Sequence, residues 1–332
     1  MIPLLFFLLL PVFAQLACRN ELGAAVDSWF ILKQPAGTQY LYYEPGSGQN
    51  LSSSPYSLND TAKGALTYTL QQLWTSNISY ALFNDEPATA TIKRSDDATV
   101  AFGHTKGIWA WSGPDAFLLT HSIPLFPIGP IASPTYSGLG PNARIYAQTI
   151  ACFTLPIEEL AALAGIATLN APHIYERRIL DGPSALIAFA NGTRRTDAMC
   201  ATVVGSQFVY FAKSAQWNNE LYSACIAPGL STSLMAETWI RGSATGPACG
   251  EYGVLDVEAL AFGNVSFRES QDHSKWAVGT TGDAVCVADI NRMTSQYKRG
   301  GGALCWNDTV LAAGLRKAIV QTDSCLLTLK EA

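Results

Sequence analysis

Two triplets of identical spacing, His104-Thr105-Lys106 and His273-Ser274-Lys275, stand one in each half of the 332-residue chain. They constrain the fold more than any other feature. The chain has four histidines, His104, His121, His173 and His273, and two of them sit two residues before a lysine. In an extended segment successive side chains alternate, so the histidine and lysine of one triplet face the same side. Two such surfaces become one site only if the halves of the chain meet across a pseudo-twofold interface.

The rest of the chain supplies strands for that arrangement. Short strand-like runs recur at Trp29 to Leu32, Tyr40 to Tyr43, Thr99 to Phe102, Phe117 to Thr120 and Tyr146 to Phe153. More follow at Ile174 to Arg177, Gln207 to Ala212, Ala236 to Ile240 and Ala284 to Ala288. Helical patterns are fewer. Asn59-Asp60-Thr61 predicts a capped helix running to about Trp74, with Leu66, Leu70 and Leu73 on one face. Pro156 predicts the first turn of a helix through Leu163, with Glu158 and Glu159 near its positive end. Asp308 predicts the start of a last helix through Val310, Leu311, Leu315 and Ile319. The expected class is mixed α/β: two pseudo-symmetric, sheet-centred halves, 18–165 and 166–332, with flanking helices in one compact body. No long linker separates the halves, which join near residues 165–172.

The N-terminal run from Met1 to Ala14 is apolar and too short to span a bilayer. Val12 and Ala14 are small residues where a signal peptidase reads, so cleavage after Ala14 or Ala17 is expected, with residues 1–17 as the signal peptide. The usual positive first region is missing, and a buried N-terminal strand is the competing account. No other stretch is long and apolar enough for a membrane helix, so no stable membrane association is expected. Eight cysteines, none in a C-x-x-C pair, point to disulfides in an oxidising compartment and away from zinc ribbons. Six acceptor sequons, at Asn50, Asn59, Asn77, Asn191, Asn264 and Asn307, point to a secreted or lysosomal glycoprotein.

The net charge of −5 excludes a protein that coats nucleic acid with a basic face. A local cationic site remains possible, and the triplets supply one. Two lysines clamp the phosphoryl oxygens of an anionic phosphodiester. One neutral imidazole attacks phosphorus and the other, protonated, donates to the departing oxygen. Opposite protonation states on two neighbouring histidines are held most easily at mildly acidic pH. This chemistry calls for no metal or other cofactor, and the chain has neither H-E-x-x-H nor clustered metal-ligand spacing.

At these residues the chain resembles the deoxyribonuclease II family, a branch of the phospholipase D superfamily. The likeness is carried by Gly103-His104-Thr105-Lys106-Gly107, by His121-Ser122-Ile123-Pro124-Leu125-Phe126-Pro127 and by Asp272-His273-Ser274-Lys275-Trp276. Ala288-Asp289-Ile290-Asn291-Arg292, Arg299-Gly300-Gly301-Gly302-Ala303-Leu304-Cys305 and the start Gly23-Ala24-Ala25-Val26-Asp27-Ser28-Trp29-Phe30 support it. The resemblance implies a phospholipase D-like fold and acid-optimum, metal-independent cutting of DNA to 3′-phosphate and 5′-hydroxyl ends. It implies His104 and His273 as the catalytic pair and Lys106 and Lys275 as phosphate ligands. His121 and Asn291 lie 15 and 16 residues after those lysines and are candidate substrate contacts. The resemblance also implies Cys18–Cys152, Cys249–Cys325 and Cys286–Cys305, leaving Cys200 and Cys225 to pair by parity. Two positions depart from the pattern: Ala277, where some relatives carry cysteine, and Ile290, where methionine is commoner.

Plainer accounts stand beside these. His121 orients the loop into Pro124, Asn291 caps a helix, and His173 beside Pro172 is structural or at the surface. Trp276 is core rather than a base-stacking platform. Arg292, Lys298 and Arg299 either contact a DNA backbone or form a solvated loop. Gly300-Gly301-Gly302 lacks the ending of a nucleotide-binding P-loop. Two rival functions use the same triplets: a phospholipase D-like lipid hydrolase, and a secreted relative that binds nucleic acid or a host partner without catalysis. Oligomeric state is not specified by any of these patterns.

Overall fold

The computed structural model describes residues 15–88 and 102–325. Most of the expected signal peptide, and residues 99–101 of an expected strand, lie outside the described residues.

Among the described residues the first sheet has eight strands. They are β1 (Ser28–Lys33), β2 (Tyr40–Tyr43), β3 (Ser52–Ser53), β4 (Ser79–Asn84), β5 (Lys106–Ser112), β6 (Asp115–His121), β7 (Gln148–Pro156) and β8 (Ile174–Arg178). They lie in the order β8-β4-β5-β6-β7-β1-β2-β3, and all the pairings are antiparallel. The second sheet has nine strands. They are β9 (Cys200–Val204), β10 (Val209–Lys213), β11 (Leu234–Thr238), β12 (Val254–Phe262), β13 (Val265–Arg268), β14 (Lys275–Gly279), β15 (Ala284–Ala288), β16 (Gly301–Asn307) and β17 (Ile319–Thr322). Their order is β9-β10-β16-β15-β14-β11-β12-β13, with β17 also paired to β12. The β11–β12 pair is parallel. Strand β8, which follows the first helix-rich crossover, returns to pair with β4 in the first sheet.

Strand alternation buries both faces of each sheet. In the first sheet Phe30, Leu32, Phe83, Trp109, Trp111 and Leu118 face a central core. Trp29, Ile31, Tyr80, Leu82, Ile108 and Phe117 face an outer one. In the second sheet Tyr210, Trp276, Val278, Val285, Val287 and Leu304 join the central core, while Phe211, Ala277, Cys286 and Cys305 turn to a third cluster. Trp276 is therefore core, fully buried between the sheets. The central core also takes the apolar faces of α2 (Ile157–Ala167), α3 (Ser184–Ala190) and α5 (Thr309–Ala318). The outer clusters are covered by α1 (Ala65–Gln71) and by α4 (Ala227–Leu230) with the turn before it.

Local signals place these helices with two shifts. Asp308 accepts from the Leu311 N–H and caps α5 as its sequence predicts. Helix α2 begins after Pro156, carries Glu158 and Glu159 in its first turn and runs past the expected end to Ala167. Helix α1 starts later than expected. Asp60 accepts from the N–H groups of Ala62 and Lys63, making a turn of its own, and Gly64 at φ 100° then leads into the helix.

Four disulfides join Cys18 to Cys152, Cys200 to Cys225, Cys249 to Cys325 and Cys286 to Cys305, and no described cysteine is free. Among the described residues no helix is long and apolar enough to cross a membrane.

Candidate active site

The two triplets do not form continuous strand. Each leads into one: Lys106 is the first residue of β5 and Lys275 the first of β14, with the histidines on the preceding irregular segments. What replaces strand pairing is a reciprocal tie. The His104 N–H donates to Gly300 O at 2.8 Å, and Gly300 immediately precedes β16 of the second sheet. The His273 N–H donates to Ala147 O at 2.9 Å, and Ala147 immediately precedes β7 of the first sheet. The Lys275 N–H reaches the Thr149 hydroxyl. Each triplet is thus seated by the opposite sheet.

Backbone must come very close for this, which accounts for the glycines. A Cβ on Gly103 would lie 1.8 Å from Asn170 O, and one on Gly300 would lie 2.5 Å from the same oxygen. One on Gly302 would meet Phe211 O at 2.4 Å. Gly103 thus lets the first half approach Asn170 and Gly300 of the second, while Gly300 and Gly302 admit the close backbone of Asn170 and Phe211 within the second half.

Around His104 the site is ionic. Asp85, at the end of β4, pairs with Lys106 and accepts from Arg299 at 2.9 Å, and its Oδ2 lies 4.0 Å from His104 Nε2. Burial by itself pushes the Asp85 carboxyl up, but Lys106, His104 and Arg299 outweigh it and hold Asp85 well below the usual carboxylate range. His104 is driven well below the ordinary histidine value by burial and then by Lys106, with Asp85 opposing.

Around His273 the site is aromatic. The Tyr146 ring stacks on the imidazole at 3.8 Å and 10°, and Trp239 packs against it at 4.1 Å and 41°. Burial, followed by the charges of Lys275 and Lys106, lowers His273 to about 3. Lys275 donates to the His273 carbonyl at 2.8 Å, and burial and Lys106 lower its ammonium to about 7.

The four triplet side chains feel one another: Lys275 contributes to the depression of His104, and Lys106 to that of both His273 and Lys275. Asp289 lies between them, near the Thr105 hydroxyl and accepting from Gly302 N–H, with burial raising it to about 6. Polar atoms without a protein partner gather here: His104 Nδ1, His121 Nε2 and His273 Nε2; Asn291 Oδ1 is likewise buried and unpaired. Buried polar atoms are normally paired, so a cluster of unpaired ones marks a place built for a guest. Among the described residues no group of three or more His, Cys, Asp or Glu is placed to hold a metal ion.

His121 ends β6, next to its neighbours Lys106 and Asp85, and its Nδ1 accepts from Ile123 N–H at 3.2 Å. Burial lowers it to about 3. Asn291 is buried and is not in a helix. His173 stands beside the site, stacked on Phe102 at 4.1 Å, while Arg194 covers the Phe102 ring. The basic cluster divides three ways. Arg292 is fully buried and paired to Asp256 at 2.6 Å, Lys298 is exposed, and Arg299 enters the site. Arg299 was one of two readings of the basic cluster, whereas Asp85, Tyr146 and Trp239 carry no local signature of a site residue; only the fold brings them to the triplets.

The chain matches the model of the deoxyribonuclease II family over residues 17–325. It belongs to the deoxyribonuclease II family. Deoxyribonuclease-2 of Caenorhabditis elegans is 32% identical over 92% of this chain and 94% of that protein. Deoxyribonuclease-2-alpha of Rattus norvegicus is 30% identical, covering 93% and 95%. Deoxyribonuclease-2-beta of Mus musculus is 31% identical, covering 97% of both. The match embraces the described residues from 17 onward, triplets and disulfides included.

Proposed function

We propose that this protein is an acid endonuclease that hydrolyses DNA without a metal, leaving 3′-phosphate and 5′-hydroxyl ends. The observation that carries the reading is the reciprocal seating of His104 and His273, with Lys106 and Lys275 inside one electrostatic site. Family membership supports DNA as the substrate.

The scissile phosphate lies between Lys106 and Lys275, with Arg299 as a further cation. An imidazole nitrogen of His104 attacks phosphorus; the N–P bond forms as the P–O5′ bond breaks, and His273 gives its proton to the departing O5′. A water then attacks phosphorus, His273 takes the water proton, and the N–P bond breaks to release the 3′-phosphate. A phosphate bound between the lysines offsets the positive field on His273, so its proton is acquired with substrate present and at acidic pH. The order of the histidines follows the motif order of the superfamily. His121 Nε2 and Asn291 Oδ1 are buried and unpaired, which supports reading both as substrate contacts.

The two halves, 18–165 and 166–332, are read as phospholipase D-like repeats. The successive strands β5, β6 and β7 and the successive strands β14, β15 and β16 support this, each series beginning at a triplet lysine. A signal peptide over residues 1–17, the four disulfides and the sequons support a secreted or lysosomal glycoprotein. Asn50, Asn77, Asn191, Asn264 and Asn307 are exposed, whereas the Asn59 side chain accepts from Leu139 N–H, so glycosylation is expected at the first five.

The decisive experiment is plasmid digestion at pH 5 in excess EDTA by the protein and its His273→Ala variant. Nicking by the parent alone supports the reading. An intact plasmid with the parent between pH 4 and 7 overturns it and favours the non-catalytic binding protein.

A further inference from the structure

Two buried lysines outside the triplets occupy equivalent places in the two sheets. Lys33 ends β1 and pairs in register with Gln148, the first residue of β7. Lys213 ends β10 and pairs in register with Gly301, the first residue of β16. Both are fully buried, and among the described residues neither has a carboxylate within ion-pair distance.

Each ammonium instead gathers backbone carbonyls. Lys33 Nζ donates to Gln34 O at 2.7 Å, Gly37 O at 2.8 Å and Arg144 O at 3.5 Å. Lys213 Nζ donates to Tyr297 O at 2.7 Å, Asn219 O at 3.1 Å and Gln296 O at 3.3 Å. Leaving an ammonium in the interior is costly unless all its donors are used. Three carbonyls on loops satisfy it and in turn fix those loops.

The loops are the ones that seat the histidines. Arg144 lies just before Tyr146, which stacks on His273, and Ala147, whose carbonyl accepts from its N–H. Tyr297 lies just before Arg299, which holds Asp85 beside His104, and Gly300, whose carbonyl accepts from the His104 N–H. We infer that Lys33 and Lys213 are paired positioning residues, each holding the loop by which its own sheet seats the histidine of the other. Lys33 serves His273 and Lys213 serves His104. The inference rests on the reading of those histidines as the reacting pair.

The test compares Lys33→Met and Lys213→Met on two DNA duplexes, one ordinary and one with a single bridging 5′-phosphorothiolate, whose sulfur departs without needing a proton. A reacting group displaced by about 1 Å costs on the order of a hundredfold in rate. On ordinary DNA each variant is expected to lose roughly ten- to a hundredfold in kcat with KM little changed. In single-turnover release of the 5′-thiol from the phosphorothiolate, a step that no longer needs the His273 proton, Lys33→Met recovers most of its rate and Lys213→Met does not. The opposite recovery upholds the pairing and reverses the two histidines. Equal losses on both duplexes, or a lowered Tm at unchanged kcat, overturn the inference. Where a methionine variant does not fold, Lys33→Arg and Lys213→Arg, which retain charge and donors in a larger group, are scored the same way. A parent protein that cuts neither duplex defeats the nuclease reading itself, whatever the variants do.

Discussion

The two triplets share a spelling and differ in their surroundings. His104 stands in a net of charges, with Asp85 joined to Lys106 and Arg299 beside it. His273 stands between Tyr146 and Trp239, and its Lys275 is satisfied by a carbonyl rather than a carboxylate. A motif therefore does not carry its own electrostatics. The first environment orients an imidazole and gathers cations around an anion; the second holds a ring by its faces and leaves its nitrogens to the guest. Such a difference suits two histidines with different tasks.

The sharpest way to break the comparison is to remove each histidine. His104→Ala and His273→Ala are each expected to lower kcat by roughly four orders of magnitude or more, as for members of a catalytic unit. If one retains more than a few per cent of the parent rate on ordinary DNA, the two do not form such a unit. Next comes Asp85→Asn, which keeps the shape and removes the charge that restrains Lys106 and Arg299. Its expected cost is about a hundredfold in kcat, read by single-turnover cleavage. A parental rate there would reduce Asp85 to a surface-like ion pair.

Lys275 offers a pH test of its unusual surroundings. Its lowered value of about 7 means that it is charged below neutrality and loses its proton as pH rises through that point. KM for DNA is expected to climb between pH 6 and 8 in the parent and to stay flat in Lys275→Arg, whose guanidinium remains charged. An identical climb in both assigns the effect to another group. The aromatic side is tested more gently by Tyr146→Phe, expected to remain within threefold of parental kcat/KM, and Tyr146→Ala, expected to lose about tenfold.

The smallest expected effect is on stability. Asp272 is buried, and burial raises it to about 6, against the donors of Ser274 and the charge of Lys275. A carboxyl raised in the folded state binds more protons there than in the unfolded chain, so it favours folding as pH falls from about 6 towards 4 and opposes it above. His273, lowered to about 3, acts in the other direction, destabilising the fold as pH falls below the ordinary histidine value. Asp272 thus offsets part of what His273 costs in acid. Asp272→Asn is expected to stabilise the protein by about 2 kcal/mol at pH 7 and by much less at pH 4.5, as measured by urea unfolding. Equal effects at the two pH values would show that Asp272 does not titrate in this range.

The residues by themselves determined a good deal. The repeated His-x-Lys spacing marked the triplets, since a rare residue pair is a local property, although the expected strand begins only at each lysine. The strands at Trp29, Tyr40 and Ala284, and the cap at Asp308, were legible because a period of two and a capping side chain are written in adjacent residues. Strands β4 and β16 were not, because burial on both faces erases alternation. Tertiary structure alone decided which loop seats which histidine, that Asp85 faces Lys106, that Arg292 is locked to Asp256 and that Arg299 is not. Those pairings join residues distant in the chain, through carbonyls and carboxylates that any sequence possesses, and only the pairing of strands within each sheet and the packing of the two sheets select among them.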